Sequence, residues 1–400
     1  MALIDIALIL LGCVIGFELA TIIAVHLLRK RCQWLLTGAD AVPEVDESVW
    51  RNFIESSWDP ELGWIRRASS TKTETGKDGT TSQFHIDETG SRVNPGFQDT
   101  PANMFVYGDS YAFARQVNDD QTWTHHLSNT LKTNVINRGV GNYGIDQALI
   151  RLEREPDAHQ CQLLIMAVVP ETISRVHSVW KHYSEYGNTL AFKPRFVPVG
   201  DDLHLLPNLL DTEEKFKSIS SLGFAAREYD YFFERKFMRD LFKFPYSLCL
   251  WRENGRNIKL MYAAFLDCFD HGERAFVSVM RRNIELSARM FNDPDTVSLL
   301  KSIILRFRDF AKANDIVPLF ILMPQMMDLE RVKEHGPYYD AFMRDISEHI
   351  DAIDLTEALR DVTSPDDMYI HDVYGGHFSA QGNQFVADQI APICKKLLAR

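Results

Sequence analysis

Short apolar runs that alternate with helical patterns are the strongest constraint on how this chain can fold. The runs Asn103 to Tyr107, Val135-Ile136 and Leu163 to Val169 indicate strands buried on both faces, because they are continuously apolar or β-branched. Helical patterns separate these runs, from Trp123 to Thr133 and in the segment that begins at Asp146. The order strand, helix, strand, helix, strand predicts a parallel sheet with helices on both of its faces.

The same alternation returns near the end of the chain. We predict helices over 296–314, over 326–348 and from Ser379 onward, and we predict strands from Val317 and at Ala352 to Asp354. The two stretches of alternation together form one predicted α/β domain.

Residues 186–292 fit this alternation poorly, because they are rich in Phe, Tyr and Arg at helical spacing. We interpret them as a mainly helical insertion between the two parts of the α/β domain, 101–185 and 293–400. The aromatic side chains are expected to form the core of the insertion and its contact with the sheet. A cap that covers a substrate is the alternative.

Met1 to Leu28 contain no Lys or Arg and indicate a membrane span. Ile6 to Leu28 are 23 residues, which is about 35 Å of helix against a hydrocarbon thickness of ~30 Å. Basic residues occupy 29–31, where the cleavage site of a signal peptide would have small residues, so an anchor is favoured over a signal peptide or a buried soluble helix. Residues 1–34 are therefore predicted to be a transmembrane anchor with a basic collar, and the positive-inside rule assigns the large domain to the cytoplasm.

Glu18 lies in the middle of this span, where a charged carboxylate costs roughly 2.5 to 3.5 kcal/mol. Two alternatives are open for Glu18: it pairs with another helix, which would provide a contact for a membrane-protein partner, or it is protonated. Residues 35–100 are polar and turn-rich, and the alternating segment Gln83 to Ile86 follows a stretch rich in Ser, Thr and Gly. We interpret 35–100 as a tether and a small β lead-in to the main domain.

The composition argues against several classes of function. The chain has 43 Lys and Arg against 55 Asp and Glu, a net charge of −12, which disfavours nucleic acid as a partner. Six cysteines are scattered without a C-x-x-C pair and indicate isolated thiols rather than a zinc site or a disulfide framework. The sequence gives no indication of a metal or another cofactor.

The segment Gly108-Asp109-Ser110 puts a serine at the C-terminal end of the first strand, where open α/β sheets bind ligands. A serine nucleophile needs a base and donors for an oxyanion. His377 is the candidate base, because it lies between the last strand and the terminal helix and so reaches the same edge of the sheet. Asp372 is the candidate to orient the imidazole, with Asp366 and Asp367 as competing acids.

The loop after the second predicted strand, residues 137–147, is expected to supply the oxyanion donors. Its glycines and Asn142 permit the positive φ angles that turn backbone N–H groups inward. Gly139, Gly141 and Gly144 also match the dinucleotide-binding pattern G-x-G-x-x-G. A dinucleotide site is disfavoured because the pattern follows the second strand and no acidic residue closes the next one.

Together these segments resemble the SGNH/GDSL-type serine hydrolases, and more closely their membrane-anchored members that act on acylated carbohydrates. The resemblance covers about 100–185 and 300–400, with a similar lead DPELGW at 59–64. It implies a three-layer α/β/α fold with a flavodoxin-like parallel sheet. It also implies that Ser110 is the nucleophile and His377 the base.

The resemblance further implies an oxyanion site made by the N–H groups of Ser110 and Asn142, with Gly141 beside them. Asn142 stands where the second block of the family usually has glycine, and asparagine tolerates left-handed geometry. The usual acid would lie two or three residues before His377, at Tyr374 or Gly375. Asp372 is therefore a hypothesis, and a Ser/His dyad supported by a backbone carbonyl is equally open.

The third block departs from the family, because Pro170-Glu171-Thr172 stand where an Asn is usual. Loss of that side-chain donor costs on the order of 3 kcal/mol of transition-state stabilisation. Thr172 is a partial substitute, whereas an ionised Glu171 close to the oxyanion would repel it. Glu171, Thr172 and Arg138 are candidate substrate contacts.

The activity implied by the resemblance is that of a membrane-anchored serine esterase. It would remove acyl groups, with acetyl as the expected one, from a carbohydrate, a polysaccharide precursor or another small ester through an acyl-serine intermediate. Two alternatives stay open. One is O-acyl transfer to a sugar hydroxyl by the same serine, and the other is an inactive scaffold in a membrane assembly, which the missing Asn and the mid-span Glu18 favour.

Overall fold

A computed structural model of the protein describes residues 2–76, 79–200, 202–362, 364–370 and 376–400. Its centre is a five-stranded parallel sheet of β1 (Ala102–Gly108), β2 (Asn134–Asn137), β3 (Leu163–Val168), β4 (Val317–Leu322) and β5 (Asp351–Asp354). The strand order is β2-β1-β3-β4-β5. This is the flavodoxin-like order, which confirms the predicted fold class and puts the topological switch point between β1 and β3.

Helices cover both faces of the sheet. Those of seven or more residues are α1 (Ala2–Leu28), α2 (Glu47–Ser56), α3 (Trp123–Leu131), α4 (Ile145–Arg154), α5 (Ile219–Ala226), α6 (Tyr246–Arg252), α7 (Asn254–Asp270), α8 (Arg274–Met290), α9 (Pro294–Ala313), α10 (Met326–His335), α11 (Asp340–Ser347) and α12 (Ala380–Leu397). On β1, Phe105 and Tyr107 face a core with α4, α9 and α11, while Met104 and Val106 face a second core with α3, α10 and α12. Two cores explain why the strands are apolar on both sides.

The helix predicted over 326–348 is two helices, α10 and α11. Gly336 has a φ of +76° and follows the last residue of α10. Pro337 comes next and cannot donate the backbone hydrogen bond that a continuing helix requires. The other predicted strands and helices of the α/β domain begin and end within about two residues of the observed ones.

Residues 35–100 are packed on the domain, so the term tether does not describe their first half. Leu36, Trp50 and Leu62 are buried in the core that contains α4 and α9. The expected lead-in hairpin is present, and a smaller one precedes it. The paired strands are Trp58–Asp59 with Gly63–Trp64 and Ser70–Thr75 with Thr81–Ile86.

The insertion is mainly helical, as expected, and it also contains an antiparallel hairpin that the pattern did not predict, Arg195–Val199 with Asp202–Leu206. Several of its aromatic side chains belong to the same core as one face of the sheet. The ring of Phe192, for example, stacks on that of Trp180, which lies just before the insertion, with the centroids 4.9 Å apart. These aromatics are core residues, whereas others such as Phe265 are exposed, and α8 contributes separately to a cleft described below.

In the part of the chain that the structure describes, α1 is the helix that is long and apolar enough to cross a membrane. Its side chains are exposed as far as Phe17. Beyond that point Glu18, Thr21 and Val25 are buried, where α1 packs on α6 and α7. The second half of α1 is thus part of the folded protein.

Candidate active site

Ser110 lies directly after β1, at the carboxyl edge of the sheet and beside the switch point. The backbone there requires Gly108, which has a φ of +150°. A Cβ at Gly108 would stand 1.8 Å from the carbonyl oxygen of Ala167 on β3, a distance that no side chain tolerates. The close approach of β1 to β3 therefore fixes the turn that presents Ser110.

Ser110 and His377 form the centre of the site. Ser110 Oγ and His377 Nε2 are 2.9 Å apart, and both residues are at least nine-tenths buried. His377 is held by the start of α12, where the Ser379 hydroxyl accepts a hydrogen bond from Gly382 N–H. The structure thus brings together the serine and the histidine that sequence analysis identified, although they are 267 residues apart in the chain.

Gln116 occupies the other side of the imidazole. Its Oε1 lies 2.8 Å from His377 Nδ1. An amide oxygen accepts a hydrogen bond, so this contact is satisfied when Nδ1 carries the proton, and Nε2 is then free to accept the Ser110 hydroxyl. Asp372, predicted in this role, lies outside the described residues, as do Tyr374 and Gly375. Sequence patterns gave no signal for Gln116, because an amide is not a usual partner of a catalytic histidine.

His377 is electrically neutral in this setting. Burial, followed by the positive charges of Arg115 and Arg175, lowers the pKa of His377 to about 3. A neutral imidazole with a free Nε2 lone pair is the form that acts as a general base.

The loop that follows β2 comes close to Ser110. Asn142 has a φ of +66°, the left-handed geometry expected of it, and Asn142 and Gly141 both line the cleft with Ser110. A Cβ at Gly141 would stand 4.0 Å from Ser110 Cβ. Trp64, the last residue of the segment DPELGW, holds this loop in place, because its Nε1 donates a hydrogen bond to Gly141 O over 2.9 Å.

A buried ion network supports the nucleophile turn. Asp109 accepts hydrogen bonds from the N–H groups of Tyr111 and Val169, both at 2.9 Å, and lies 3.3 Å from Arg175. Arg175 Nη2 also donates to Glu171 over 2.6 Å. Burial disfavours the charged form of Arg175, but Glu171 and Asp109 outweigh it and raise the pKa of this guanidinium. Glu171 therefore lines the cleft as one partner of an ion pair, and the positive charge of Arg175 largely offsets its negative charge.

Two of the predicted substrate contacts are wrong. Thr172 is fully buried, and its hydroxyl accepts a hydrogen bond from Ile145 N–H at the start of α4. Arg138 is buried too, with its guanidinium bonded to Tyr107 and to the carboxylates of Glu155 and Asp157. Both side chains are taken up by internal contacts and do not line the cleft.

The cleft has a volume of about 870 Å³ and contains Ser110, His377, Glu171 and Arg175. Arg66, Arg175 and Gln325 also line this cleft. One nitrogen of each side chain, Arg66 Nε, Arg175 Nε and Gln325 Nε2, is itself buried from solvent and has no hydrogen-bond partner in the described ranges. Neither Arg66 nor Gln325 was predicted.

Arg66 lies between two aromatic rings, 4.4 Å from the centroid of Phe113 and 5.0 Å from that of Phe84. Burial lowers the pKa of Arg66 to about 10, opposed by the negative charge of Glu74 and assisted by the positive charge of Arg115, so the group is cationic at neutral pH. Across the described residues no group of three or more His, Cys, Asp and Glu side chains has the arrangement of a metal site.

Comparison with known proteins adds solved structures of low similarity. No family model matches the chain, and no curated protein matches it significantly. Three of the similar structures are a protein described as lipolytic and of the G-D-S-L family from Desulfitobacterium hafniense DCB-2, a carbohydrate acetylesterase family member from Sinorhizobium meliloti, and a lipase/acylhydrolase from Enterococcus faecalis. Their identities are 11, 9 and 12%, and their TM-scores 0.33, 0.33 and 0.32.

The alignments cover 73, 75 and 73% of this chain and 99, 100 and 96% of the other chains, in the same order. Likenesses at this level do not establish a family or an activity. Arguments about family and activity therefore start from the residues of this chain.

Proposed function

We propose that this chain is a membrane-anchored serine esterase of the SGNH/GDSL type that removes a short acyl group, with acetyl as the expected one, from a carbohydrate or polysaccharide precursor. The observation that carries the proposal is the contact of 2.9 Å between Ser110 Oγ and the neutral His377 Nε2 at the switch point of the sheet. An inactive scaffold would have no need to keep a buried serine and histidine in this geometry.

In the proposed reaction His377 Nε2 takes the proton of Ser110 as Oγ bonds to the ester carbonyl carbon. The N–H groups of Ser110 and Asn142 donate to the oxyanion. Collapse breaks the ester C–O bond, and the departing alcohol oxygen takes the proton from His377. Water then attacks the acyl-serine by the same steps, which releases the carboxylic acid and restores Ser110.

The carbohydrate substrate is supported by the polar character of the cleft. Arg66, Arg175 and Gln325 are among its lining residues, and hydroxyl-rich ligands need several polar groups of this kind. The fit to a sugar is a proposal that also draws on the resemblance in sequence.

Membrane anchoring is supported by the packing of α1. Glu18 and Val25 are buried against helices of the insertion, and a cleaved signal peptide would have no reason to pack there. The basic collar at 29–31 favours a domain on the cytoplasmic side. Protease added outside sealed right-side-out membrane vesicles tests this side. We expect the large domain to be protected from the protease.

A fluorophosphonate probe on the purified full-length chain tests the nucleophile. We expect labelling of the wild type, none of Ser110→Ala, and unchanged labelling of Ser298→Ala, a serine exposed on α9. Labelling that persists in Ser110→Ala would contradict the proposed nucleophile. Release of free acid with and without a sugar acceptor separates hydrolysis from acyl transfer, because transfer would divert the acyl group to the acceptor.

A further inference from the structure

A row of large apolar side chains on α7 faces away from the protein. Ile258, Tyr262, Phe265 and Phe269 are 57, 63, 50 and 72% exposed. Their spacing of four, three and four residues keeps them within an arc of about 60° on a helix that turns ~100° per residue. Phe244, Leu248 and Trp251 are exposed in and before α6, which packs on α7, and Phe244 and Trp251 are both 77% exposed. These seven residues are called the apolar stripe.

A stripe of this kind is costly in water. Contiguous apolar surface beyond a few hundred Å² is rare on soluble proteins and marks an interaction site. The opposite face of α7 is already packed, since Leu260 and Ala264 are buried with Val25 of α1 and with Leu35. The stripe is therefore the outer side of a helix whose inner side rests on the anchor.

Glu18 ties α6 to the anchor. Its carboxylate accepts hydrogen bonds from Tyr246 N–H and, over 2.9 Å, from Ser247 N–H at the start of α6. The ring of His26 stacks on Tyr246 with the planes 10° apart. The pairing expected for Glu18 is thus made within the chain, and no separate membrane protein is needed to satisfy it.

The basic collar lies against both ends of α7. Arg31 Nη1 is 3.1 Å from His271 Nδ1, just after the last residue of the helix. Arg256 Nη2, near its first residue, donates to Trp34 O over 2.8 Å. Because residues 31–34 border both ends, α7 runs along the level of the collar.

The length of the exposed part of α1 indicates how deep in the bilayer the contacts with α6 and α7 lie. Leu3 to Phe17 are the segment without buried contacts, and 15 residues rise only ~22 Å against a hydrocarbon thickness of ~30 Å. A span that starts at Leu3 must therefore include part of the packed segment from Glu18 onward. That segment is where α6 and α7 contact the anchor.

We propose that α6 and α7 lie in the interfacial layer of the bilayer on the collar side, with the apolar stripe in contact with lipid. This inference depends on the proposed retention of α1 as an anchor. An amphipathic helix with Trp, Tyr and Phe on one face is typical of an element that lies in the plane of the membrane.

Basic residues beside the stripe fit lipid headgroups. A cleft of about 790 Å³ between α7 and α8 is lined by five basic and two acidic side chains, namely Lys259, Arg274, Arg281, Arg282, Arg289, Glu273 and Glu285, so its lining carries a net positive charge. Cations at this level attract the anionic headgroups of a cytoplasmic leaflet. A bilayer therefore satisfies both the apolar stripe and the charges next to it.

Photolabelling of the full-length chain in vesicles tests the placement. Vesicles of phosphatidylcholine and phosphatidylglycerol would carry a trace of phosphatidylcholine with a diazirine in its acyl chain, and labelled peptides would be identified by mass spectrometry. We expect label in peptides from 1–28 and from 244–270. Peptides from the hairpin 195–206 should stay unlabelled, although Val199 and Leu205 are 54 and 47% exposed.

Label in 1–28 without label in 244–270 would overturn the inference and leave the anchor intact, as when another protein or a second copy covers the stripe. Absence of label from both would overturn the anchor as well. Phe265→Ser should lower label in 244–270, whereas Phe224→Ser should not change it. Phe224 is the matched control because it is 55% exposed on α5.

Discussion

His377 differs from the usual base of a serine hydrolase in what supports it. In the described part of the chain its Nδ1 meets the neutral amide of Gln116, which orients the ring but adds no negative charge. A carboxylate would stabilise the imidazolium that forms in the transition state. Gln116 should therefore position the base without strengthening it.

Replacing Gln116 tests this role directly. Gln116→Ala should lower kcat roughly 2- to 13-fold with little change in KM, because one neutral hydrogen bond contributes about 0.5 to 1.5 kcal/mol. Gln116→Glu should recover activity and raise the pKa of His377, which moves the acid limb of the pH–rate profile to higher pH. Gln83→Glu on the exposed hairpin is the charge control. An acid limb that stays in place in Gln116→Glu would show that Gln116 does not face the reacting base.

The lowered pKa of His377 predicts an unusual acid tolerance. The base is active when neutral, so activity is present above its folded pKa of about 3 and is lost as the pH falls through that value. We expect kcat/KM to change little from roughly pH 7 to pH 5, where a histidine with the usual pKa of ~6.5 would already be protonated.

The same shift makes stability depend on pH. Below about pH 6.5 the imidazole of His377 binds a proton in the unfolded chain but stays neutral in the folded protein. The free energy of unfolding should therefore fall as the pH falls from about 6.5 toward 3. Initial rates on a chromogenic ester, with folding followed by circular dichroism, separate the two effects. A half-maximal rate near pH 6.5 in folded protein would contradict the lowered pKa.

Gln325 is a candidate for the donor that the third block lacks. It is buried, it lines the cleft with Ser110, and its Nε2 has no partner in the residues described. Its backbone N–H donates to Asp328 Oδ2 over 2.8 Å at the start of α10, and its side chain makes no capping hydrogen bond there. Gln325→Glu keeps the size of the side chain and removes the donor.

If Gln325 binds the oxyanion, Gln325→Glu and Gln325→Met should both lower kcat by roughly 10²-fold with KM nearly unchanged. If the side chain only fills space before α10, Gln325→Met should retain its kcat, and any loss should be confined to Tm. Steady-state kinetics and thermal unfolding of the same preparations distinguish the two roles.

Sequence reasoning selected the serine and histidine that the structure brings into contact and missed the residues that surround them. Ser110 and His377 were accessible because strand ends in a parallel sheet share one edge. Gln116, Arg66 and Gln325 depend on how loops fold over that edge, which local patterns do not encode. Arg138 was misassigned for the same reason, since its partners on the α4 side are invisible before the helix is packed.

At the scale of elements, Glu18 joins the anchor to α6. The bonds from Tyr246 N–H and Ser247 N–H resemble those of a helix N-cap, whose loss typically costs about 0.5 to 2 kcal/mol. Glu18→Leu should loosen α6 from α1 and make the segment 244–270 more sensitive to protease, with kcat unchanged. Asp5→Leu in the exposed first turn of α1 is the control. Equal protease resistance of wild type and Glu18→Leu would mean that the contact contributes nothing.

The strands and their flanking helices were predictable because continuous apolar runs indicate strands buried on both faces and helical spacing indicates the helices between them. The hairpin Arg195–Val199 with Asp202–Leu206 was not, since it is short and partly exposed. The packing of residues 35–64 was not predictable either, because their polar composition hides three apolar side chains that reach the core of another segment.

At the scale of the whole molecule, the catalytic cleft and the membrane-facing elements are continuous. The lining of the cleft includes Ser110 and His377 at one part, and Arg31, Trp34 and His271 from the collar and the end of α7 at another. With α7 at the membrane interface, this opening would face the headgroup layer. An ester on a carrier embedded in the bilayer would then reach Ser110 without leaving the membrane surface.

This arrangement predicts that the source of the substrate decides whether the apolar stripe matters. In vesicles, the double variant Phe265→Ser, Phe269→Ser should keep its kcat/KM for a soluble ester such as p-nitrophenyl acetate, because none of the seven stripe residues lines the cleft. It should lose activity on an acetylated glycolipid in the same vesicles, because α7 no longer holds the cleft at the interface. Phe224→Ser is again the matched control. Equal losses on both esters would indicate a damaged fold, and equal retention on both would show that the cleft receives its substrate from solution.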